Sequence, residues 1–575
     1  MMSSSKKRSA TDGGFSQGDD DSEMKARKQR VKVSSPSKKS LQNSQFLDDK
    51  KSLWQQAMEQ LNEQTKKVLN RAKTDDDVFF ACMEYTRHRD WITQRYNPAC
   101  GRVVSMGSDD CNQLGVAASA DADKECEYPP TFVNLDGSKV AHVAGGGLHS
   151  LVLTVDGKVY SFGNNDDNAL GRGEIHEDRL HLAEPIKEGF RPDDRNRIVG
   201  IDAGDSHSLF LSILGNVYQS GMYKDVDSGK FHDVPIGTNE SPKGSNVYPT
   251  LVDLPGPVRE IKAGEAFNAA LLEDGNLYTW GMGHFGQLAR SKTMGADLKK
   301  DEKGNSIPGV YELGKMWIGE EYETDEQEKD GDGNLKFDEK GNPVWATAYR
   351  YHEDLIKEKF LKPAPVIWAN PYPKRSVLSL ACGELFILVV ARDEGYDTNV
   401  YSAGHNGFGQ LGHGDKHERH ELTPIKFFER KLIKKVSAGT SHGLALDMAG
   451  NAVFAWGRSD YGQLGHTDDI KGGDIEMSPQ QIAFPESLGS TRIRDIAAGS
   501  SISMAITEEN DVYTWGFGET CATGHLASAE DIKRPKKLDV LRQALKRGGA
   551  KSKNCHVLEG TGGAQHSLMI LECFS

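Results

Sequence analysis

Four histidines in this 575-residue chain occupy the same place in a repeated motif, and histidine is the side chain best suited to proton transfer or metal binding near neutral pH. Each follows a glycine-containing segment and precedes a short apolar run: His149, His207, His442 and His566. Other copies of the motif hold apolar residues at this position: Phe267, Phe386 and Ile502. A catalytic role for each histidine is therefore disfavoured. We predict that their ring nitrogens bridge neighbouring repeats; the alternative is that they line one face of the repeat array near its axis.

The other residue types able to do chemistry are scattered. The eight cysteines form no CxxC pair, so neither a zinc site nor a disulfide framework is indicated. No Walker lysine loop and no HExxH motif is present. We therefore predict no covalent catalysis, no bound metal and no cofactor.

One acidic segment has a spacing similar to that of a calcium-binding loop. Residues 320–339 hold ten acidic residues and two lysines. Four residues would stand at positions three, five, six and twelve of an EF-hand loop: Asp330, Asp332, Gly333 and Glu339. Position one would be a glutamate, which is unusual. The alternative, an acidic surface loop with a β-hairpin, is the prediction we adopt.

The elements that must position these residues follow from an internal period. Seven times an aromatic-rich strand runs into a glycine and then a polar loop: Gly107, Gly163, Gly221, Gly281, Gly404, Gly457 and Gly516. Their spacing is 53 to 60 residues, except for 123 residues between Gly281 and Gly404. A fixed period of this length is typical of repeat architectures. The long interval indicates two repeats and an insertion.

Each repeat carries short antiparallel strands. Asp156-Gly157 and Asp274-Gly275 separate runs of β-forming residues, which is a strong hairpin signal. Such small sheets cannot bury a face alone, but several of them around an axis bury each other. The sequence therefore predicts an all-β fold, a seven-bladed β-propeller.

The order of the motifs predicts how the ring closes. The chain enters the repeats at Gly107 with the second half of a repeat and leaves them at His566 with the first half. One blade must therefore combine the N-terminal and C-terminal strands, which removes an open sheet edge.

The remaining chain divides by composition. We expect a disordered basic tail at 1–44, a short helical extension at 45–97, and the propeller at 98–575 with an insertion at 289–362 in the fourth repeat. The first forty residues hold ten basic and five acidic residues. A basic run lies within them: Lys25, Arg27, Lys28, Arg30 and Lys32. Such a run is typical of a nuclear import signal or a nucleic-acid-binding arm, and the alternative is a solvated tail.

No segment is apolar enough to suggest a membrane span or a secretory signal. Scattered cysteines favour a reducing compartment. We expect an intracellular monomer without a membrane partner.

The loop after the repeated glycine adds a family signature. It ends in Gly-Gln-Leu-Gly or a close variant: 112–115, 286–288, 409–412 and 462–465. In this respect the chain resembles the regulator of chromosome condensation family. The resemblance implies a seven-bladed propeller that acts as guanine-nucleotide exchange factor for the small GTPase Ran, tethered to chromatin (DNA or histones) through a basic tail. The implied location is nuclear, and a cytoplasmic one stays open.

The resemblance also implies site residues. Tyr223, Lys224 and Asp225 match a family loop that is pushed against the nucleotide site of Ran, and Asp205 and His566 match contact positions. Two family positions differ. An expected aspartate aligns with Ala266, although a shift of one residue would bring Glu265 there, and an expected histidine aligns with Ser441. The alternative function is a non-catalytic scaffold that binds another protein through its loops and acidic insertion.

Overall fold

The computed structural model describes residues 38–71, 75–116, 130–222, 246–283, 285–290, 361–370, 375–393, 398–466, 475–525, 530–539 and 554–574, and the backbone of short strands between residues 297 and 351. The basic run of the expected tail, residues 223–245 and the loop similar to an EF-hand lie outside the described residues.

Two helices precede the strands: α1 (Lys38–Leu69) and α2 (Asp75–Tyr96). The first begins seven residues before the expected start of the helical extension at residue 45. Residues 38–44 contain neither glycine nor proline, so nothing in that segment stops the helix. In the part of the chain that the structure describes, neither helix has an apolar stretch long enough to cross a membrane.

The strands follow in chain order: β1 (Arg102–Gly107), β2 (Thr131–Phe132), β3 (Val140–Gly145), β4 (His149–Thr154), β5 (Val159–Gly163), β6 (Glu184–Pro185), β7 (Ile198–Ala203), β8 (His207–Ser212), β9 (Val217–Gly221), β10 (Asn246–Leu251), β11 (Val258–Ala263), β12 (Phe267–Leu272), β13 (Leu277–Gly281), β14 (Asp297–Lys300), β15 (Ser306–Leu313), β16 (Met316–Trp317), β17 (Gly319–Gln327), β18 (Trp345–Tyr351), β19 (Ala364–Pro365), β20 (Ser376–Cys382), β21 (Phe386–Arg392), β22 (Thr398–Gly404), β23 (Arg419–Pro424), β24 (Ile433–Ala438), β25 (His442–Asp447), β26 (Val453–Arg458), β27 (Ile475–Gln481), β28 (Ile493–Ala498), β29 (Ile502–Thr507), β30 (Val512–Gly516), β31 (Ile532–Leu538), β32 (Asn554–Gly562) and β33 (His566–Phe574).

These strands form seven four-stranded blades among the described residues, which confirms the predicted propeller. Blade 1 has the order β2-β1-β33-β32, blade 2 has β3 to β6, and blade 3 has β7 to β10. Blade 4 consists of β11, β12, β13 and β19, and blades 5, 6 and 7 have β20 to β23, β24 to β27 and β28 to β31. The first strand of blades 2 to 7 and β32 of blade 1 are innermost, and each contacts the next around the axis.

The closure of blade 1 by both ends of the chain is also confirmed. Strand β1 pairs antiparallel with β33, with Arg102 opposite Leu571 and Gly107 opposite His566. Four residues of β33 that pack into the core have no exposed surface: Leu568, Met569, Ile570 and Leu571. The ring therefore has no open edge between its first and last blades.

The repeated glycine is required where the third strand ends. Gly281 has a φ of 116°, and a Cβ at this position would lie 2.5 Å from Cα of Phe267. In four of the seven repeats an aromatic residue precedes the glycine and is fully buried: Phe162, Trp280, Trp456 and Trp515. The indole of Trp456 donates to the carbonyl of Gln410 in the preceding blade at 2.8 Å. The aromatic-Gly and Gly-Gln-Leu motifs thus contact each other across blades.

The strand directions give the ring two distinct faces. We call "loop face" the side that carries the turns between first and second strands and the loops after the repeated glycines. The opposite side, which we call the hairpin face, carries the turns between second and third strands, such as Asp156-Gly157.

Helix α2 packs on the hairpin face. The buried Arg95 guanidinium donates to the carbonyl of Ile213 at 3.0 Å and to that of Val258 at 3.3 Å. It also forms an ion pair with Glu273 at 3.6 Å, and the Trp91 indole donates to the carbonyl of Arg259 at 3.3 Å. The loop face is left free of this helix.

Strands β14 to β18 stand between the third and fourth strands of blade 4 and form two small sheets of their own. Arg290, which is 8% exposed, precedes them, and its Nη2 donates to the carbonyl of Lys362 at 2.9 Å. The two ends of the inserted segment therefore lie side by side.

Candidate functional site

The turns between first and second strands meet around the axis on the loop face. In each turn one backbone N–H donates to a carbonyl of the next blade, so the bonds run around the whole ring. Two examples are Asp205 N–H to the Glu265 carbonyl at 3.1 Å and Thr440 N–H to the Ser500 carbonyl at 3.1 Å. We call the seven donating residues the mouth positions: Gly147, Asp205, Glu265, Glu384, Thr440, Ser500 and Ala564.

A glycine precedes each mouth position because the blades approach one another closely there. A Cβ on Gly204 would lie 2.4 Å from the carbonyl oxygen of Gly264 in the next blade. A Cβ on Gly439 would lie 2.3 Å from that of Gly499. The glycines of the small-residue motif are therefore explained by the narrow centre of the propeller.

Three consecutive mouth positions are acidic: Asp205, Glu265 and Glu384. We call them the acidic mouth. Burial, followed by the carboxyl of Glu384, raises the pKa of Glu265 to about 9. Burial also raises the pKa of Glu384, whose carboxyl shares a hydrogen bond with that of Glu265. At neutral pH this pair therefore holds a proton, and an approaching cation would favour its loss.

The structure shows where both candidate residues of the fourth repeat lie. Glu265 is half-buried at a mouth position beside Asp205, whereas Ala266 is 2% exposed and points away from the mouth. Ser441 is buried next to the mouth position Thr440, and its side chain bonds to the carboxyl of Glu384. Ala266 and Ser441 are therefore both buried directly after a mouth position, and the mouth positions themselves hold Asp205, Glu265 and Glu384.

The segment with Tyr223, Lys224 and Asp225 lies outside the described residues. The residues on either side of it, Met222 and Asn246, are described. Met222 N–H donates to the carbonyl of Ser206 at 3.1 Å, and Asn246 pairs with Gly221. Since Ser206 follows Asp205 directly, Met222, the last described residue before this segment, lies next to the acidic mouth.

The recurring histidines bridge neighbouring blades, as predicted. Each Nε2 lies within hydrogen-bonding distance of a side chain in the next blade: His149 with Ser208 at 2.9 Å, His207 with Asn268 at 2.7 Å, His442 with Ser503 at 3.0 Å and His566 with Ser150 at 2.8 Å. Burial lowers the pKa of His149 to about 3 and those of the other three to about 4. All four are therefore neutral at physiological pH.

This placement changes the interpretation of His566. Its side chain has no exposed surface, and it holds blade 1 to blade 2 through Ser150. As placed, it is an internal bridge and presents nothing to a partner on the loop face. Asp205 is half-buried at the mouth and can contact a partner there.

One described segment has the letters of a catalytic motif but not its structure. The segment Gly439-Thr440-Ser441-His442-Gly443 has the letters of a nucleophile elbow, but it joins the antiparallel strands β24 and β25. The elbow of hydrolases joins a strand to a helix. Within the described ranges, no three His, Cys, Asp or Glu side chains are grouped as a metal site would require.

Sequence reasoning did not single out Glu384 as a member of the site. It stands at the same place after a turn glycine as Asp205, so the repeat alignment carried the signal. The alignment could not show that the three blades meet at the axis and bring these three carboxyl groups together.

Comparison with known proteins fits this architecture. A family model described as RCC1-like domain matches residues 102–569. The chain belongs to this family. A regulator of chromosome condensation from Xenopus laevis is 26% identical over 480 residues, covering 82% of this chain and 90% of that protein. The ultraviolet-B receptor UVR8 of Arabidopsis thaliana is 26% identical over 446 residues, covering 76% of this chain and 78% of the receptor.

Among solved structures, that of Prp20p from Saccharomyces cerevisiae superimposes with a TM-score of 0.61. It is 19% identical, and the match covers 83% of this chain and 93% of the yeast chain. The structure of Prp20p is described together with the binding of that protein to Gsp1p and histones. At this identity the likeness shows the fold alone, and the diversity of relatives shows that one propeller serves different functions.

Proposed function

We propose that this RCC1-family propeller is a guanine-nucleotide exchange factor for a Ran-type small GTPase, which binds at the loop face. The observation that carries the proposal is the acidic mouth. Asp205, Glu265 and Glu384 come from three blades, and Met222, the last described residue before the segment that holds Tyr223, Lys224 and Asp225, lies beside them. A concentrated negative potential at the axis favours and orients a basic partner surface.

The proposed mechanism involves no covalent step. The propeller binds the nucleotide-free GTPase more tightly than the nucleotide-bound form, so by linkage it weakens nucleotide affinity by the same factor. Tyr223, Lys224 and Asp225 would displace the elements that hold the phosphates, and Asp205 would hold the GTPase on the loop face. The protein itself does not choose the incoming nucleotide.

Release of labelled GDP from Ran, with and without this protein, tests the proposal directly. We expect acceleration, and we expect Asp205→Asn to lower kcat/KM about tenfold because one anion of the mouth is lost. Glu508→Gln is the matched control, since Glu508 is an exposed acidic residue of the hairpin face. It should exchange like the parent protein, and both variants should keep its melting temperature.

Absence of any acceleration at micromolar protein would contradict the proposal. The non-catalytic scaffold would then be the better interpretation. The relative named as an ultraviolet-B receptor, at the same 26% identity, favours that second function.

For the basic tail we propose tethering to chromatin and hence a nuclear location. The cations in question are Lys25, Arg27, Lys28, Arg30 and Lys32. Replacing all five by glutamine should weaken DNA binding and reduce the slope of log affinity against log salt by about 4.5, because five fewer phosphates are neutralised. Deletion of residues 9–21, which contain no lysine or arginine, is the control. An unchanged salt slope in the glutamine variant would refute the role of the run.

A further inference from the structure

The loop face has a second surface feature, which is separate from the acidic mouth. The loops after the repeated glycines of blades 4 to 7 carry a row of half-buried side chains: Phe285, His405, Phe408, Arg458, Tyr461 and Phe517. We call this row the aromatic belt. It combines four aromatic rings with a guanidinium and an imidazole.

The belt members interlock across blades in a regular way. In blades 5, 6 and 7 the residue directly after the repeated glycine packs on the aromatic residue of the preceding blade. The ring of His405 lies 5.2 Å from that of Phe285, the Arg458 guanidinium lies 4.9 Å from the Phe408 ring, and the ring of Phe517 lies 4.7 Å from that of Tyr461. The belt is therefore continuous over four blades.

The propeller does not need aromatic residues at these positions in order to close. Equivalent positions hold Cys111 in blade 1, Asp167 in blade 2 and Thr520 in blade 7. The turn of the loop is nevertheless the same, because the next backbone N–H donates to the carbonyl three residues before it: Asn112 to Asp109 at 2.9 Å in blade 1, Gly409 to Asn406 at 3.0 Å in blade 5 and Cys521 to Gly518 at 2.9 Å in blade 7. The aromatic residues of blades 4 to 6 must therefore be explained by something other than loop geometry.

The belt adjoins the acidic mouth through Arg458. The charge of this guanidinium acts on the carboxyl of Glu384, where it opposes the effect of burial on that pKa. Arg458 is also held at 2.5 Å by Asp460 in its own loop. The mouth and the belt thus form one surface, acidic near the axis and aromatic over blades 4 to 7.

We propose that the aromatic belt is the main source of affinity for the protein partner of the loop face, and that Phe408 and Tyr461 are its central contacts. The inference rests on the proposed exchange function. Binding energy at protein interfaces concentrates in Tyr, Trp and Arg side chains, with aromatic residues enriched at the core of the patch. The partner surface that fits this arrangement has an apolar centre next to basic side chains, since aromatic faces also accept cations.

The double variant Phe408→Thr/Tyr461→Thr tests this inference in the full-length protein. Threonine already occupies the equivalent position in blade 7, so the loops should keep their conformation. Exchange on Ran should show KM raised about tenfold or more, with kcat at saturation little changed. The matched control is Phe427→Thr, because Phe427 is a half-buried aromatic residue at the hairpin end of blade 5.

The possible outcomes separate the two proposals. If the parent protein accelerates exchange and the double variant shows the same KM, the belt inference is wrong while the exchange function stands. If the parent protein neither binds Ran nor accelerates exchange, both the exchange function and the belt inference are wrong. A raised KM in the double variant with an unchanged melting temperature, and a parental KM in the control, would support the belt.

Discussion

Acidification from pH 7 to 4.5 should destabilise this propeller steeply, and replacement of its four bridging histidines by phenylalanine should remove much of that dependence. Burial lowers the pKa of His207, His442 and His566 from 6.5 to about 4, and that of His149 to about 3. At these four positions the unfolded chain therefore binds protons below pH 6.5 that the folded chain does not bind. Glu265, whose pKa is raised to about 9 in the folded chain, acts in the opposite direction and offsets about one of these four protons. The associated stability is complete above pH 6.5 and is lost as the pH falls towards the folded pKa values.

The expected magnitude is large. Lowering the pKa of a histidine from 6.5 to about 4 corresponds to about 3 kcal/mol of stability at neutral pH, so the four together reach on the order of 10 kcal/mol. This is comparable with the whole free energy of unfolding of many proteins. Each histidine should contribute about one proton, or about 1.4 kcal/mol per pH unit, to the slope between pH 6 and 5.

Urea unfolding at pH 7.5, 6.0, 5.5 and 5.0 measures this slope. The fold already accepts phenylalanine at this position in blades 4 and 5, as Phe267 and Phe386, which makes His→Phe a compatible change. His176→Phe is the control, because the side chain of His176 is 81% exposed. The slope, rather than the stability at pH 7, is the readout, since the substitution also removes a hydrogen bond. A quadruple variant with the parental slope would show that the buried histidines are not the acid-sensitive groups.

Truncation after Glu559 should abolish cooperative folding of the ring. It removes β33 and the end of β32, so β1 and β2 lose their partners and blade 1 no longer links blade 7 to blade 2. The four fully buried residues of β33 alone contribute on the order of 8 kcal/mol through burial. We expect an aggregated product or a transition without a sharp melting temperature.

Circular dichroism melting of the truncated chain beside the parent measures the effect. Deletion of residues 1–37 is the control, because it removes more residues but no part of any described strand. It should melt close to the parent. A chain that ends at Glu559 and melts at the parental temperature would contradict the closure of the ring by both termini.

Much of the architecture was determined by the sequence alone. The number of blades follows from seven glycines at one spacing, and each of them stands where the backbone takes a positive φ. The closure follows from the order of half-repeats at the two ends, with Gly107 opposite His566. The structural role of the histidines was also predictable. Phenylalanine and isoleucine stand at the same position in other repeats, so this position serves packing between blades and not catalysis. These features are local or periodic, so backbone sterics and hydrophobic patterning encode them in short segments.

The composition of the loop face was decided only by the tertiary structure. Asp205, Glu265 and Glu384 are far apart in the chain and become neighbours because three inner strands meet at a narrow axis. Burial, followed by the neighbouring carboxyl of Glu384, raises the pKa of Glu265, and the same packing turns His566 inward. The belt is likewise formed by pairs such as Phe408 and Arg458, which come from adjacent blades. A repeat motif specifies each blade separately, whereas burial, shared protons and ring contacts depend on which side chains the closed ring brings face to face.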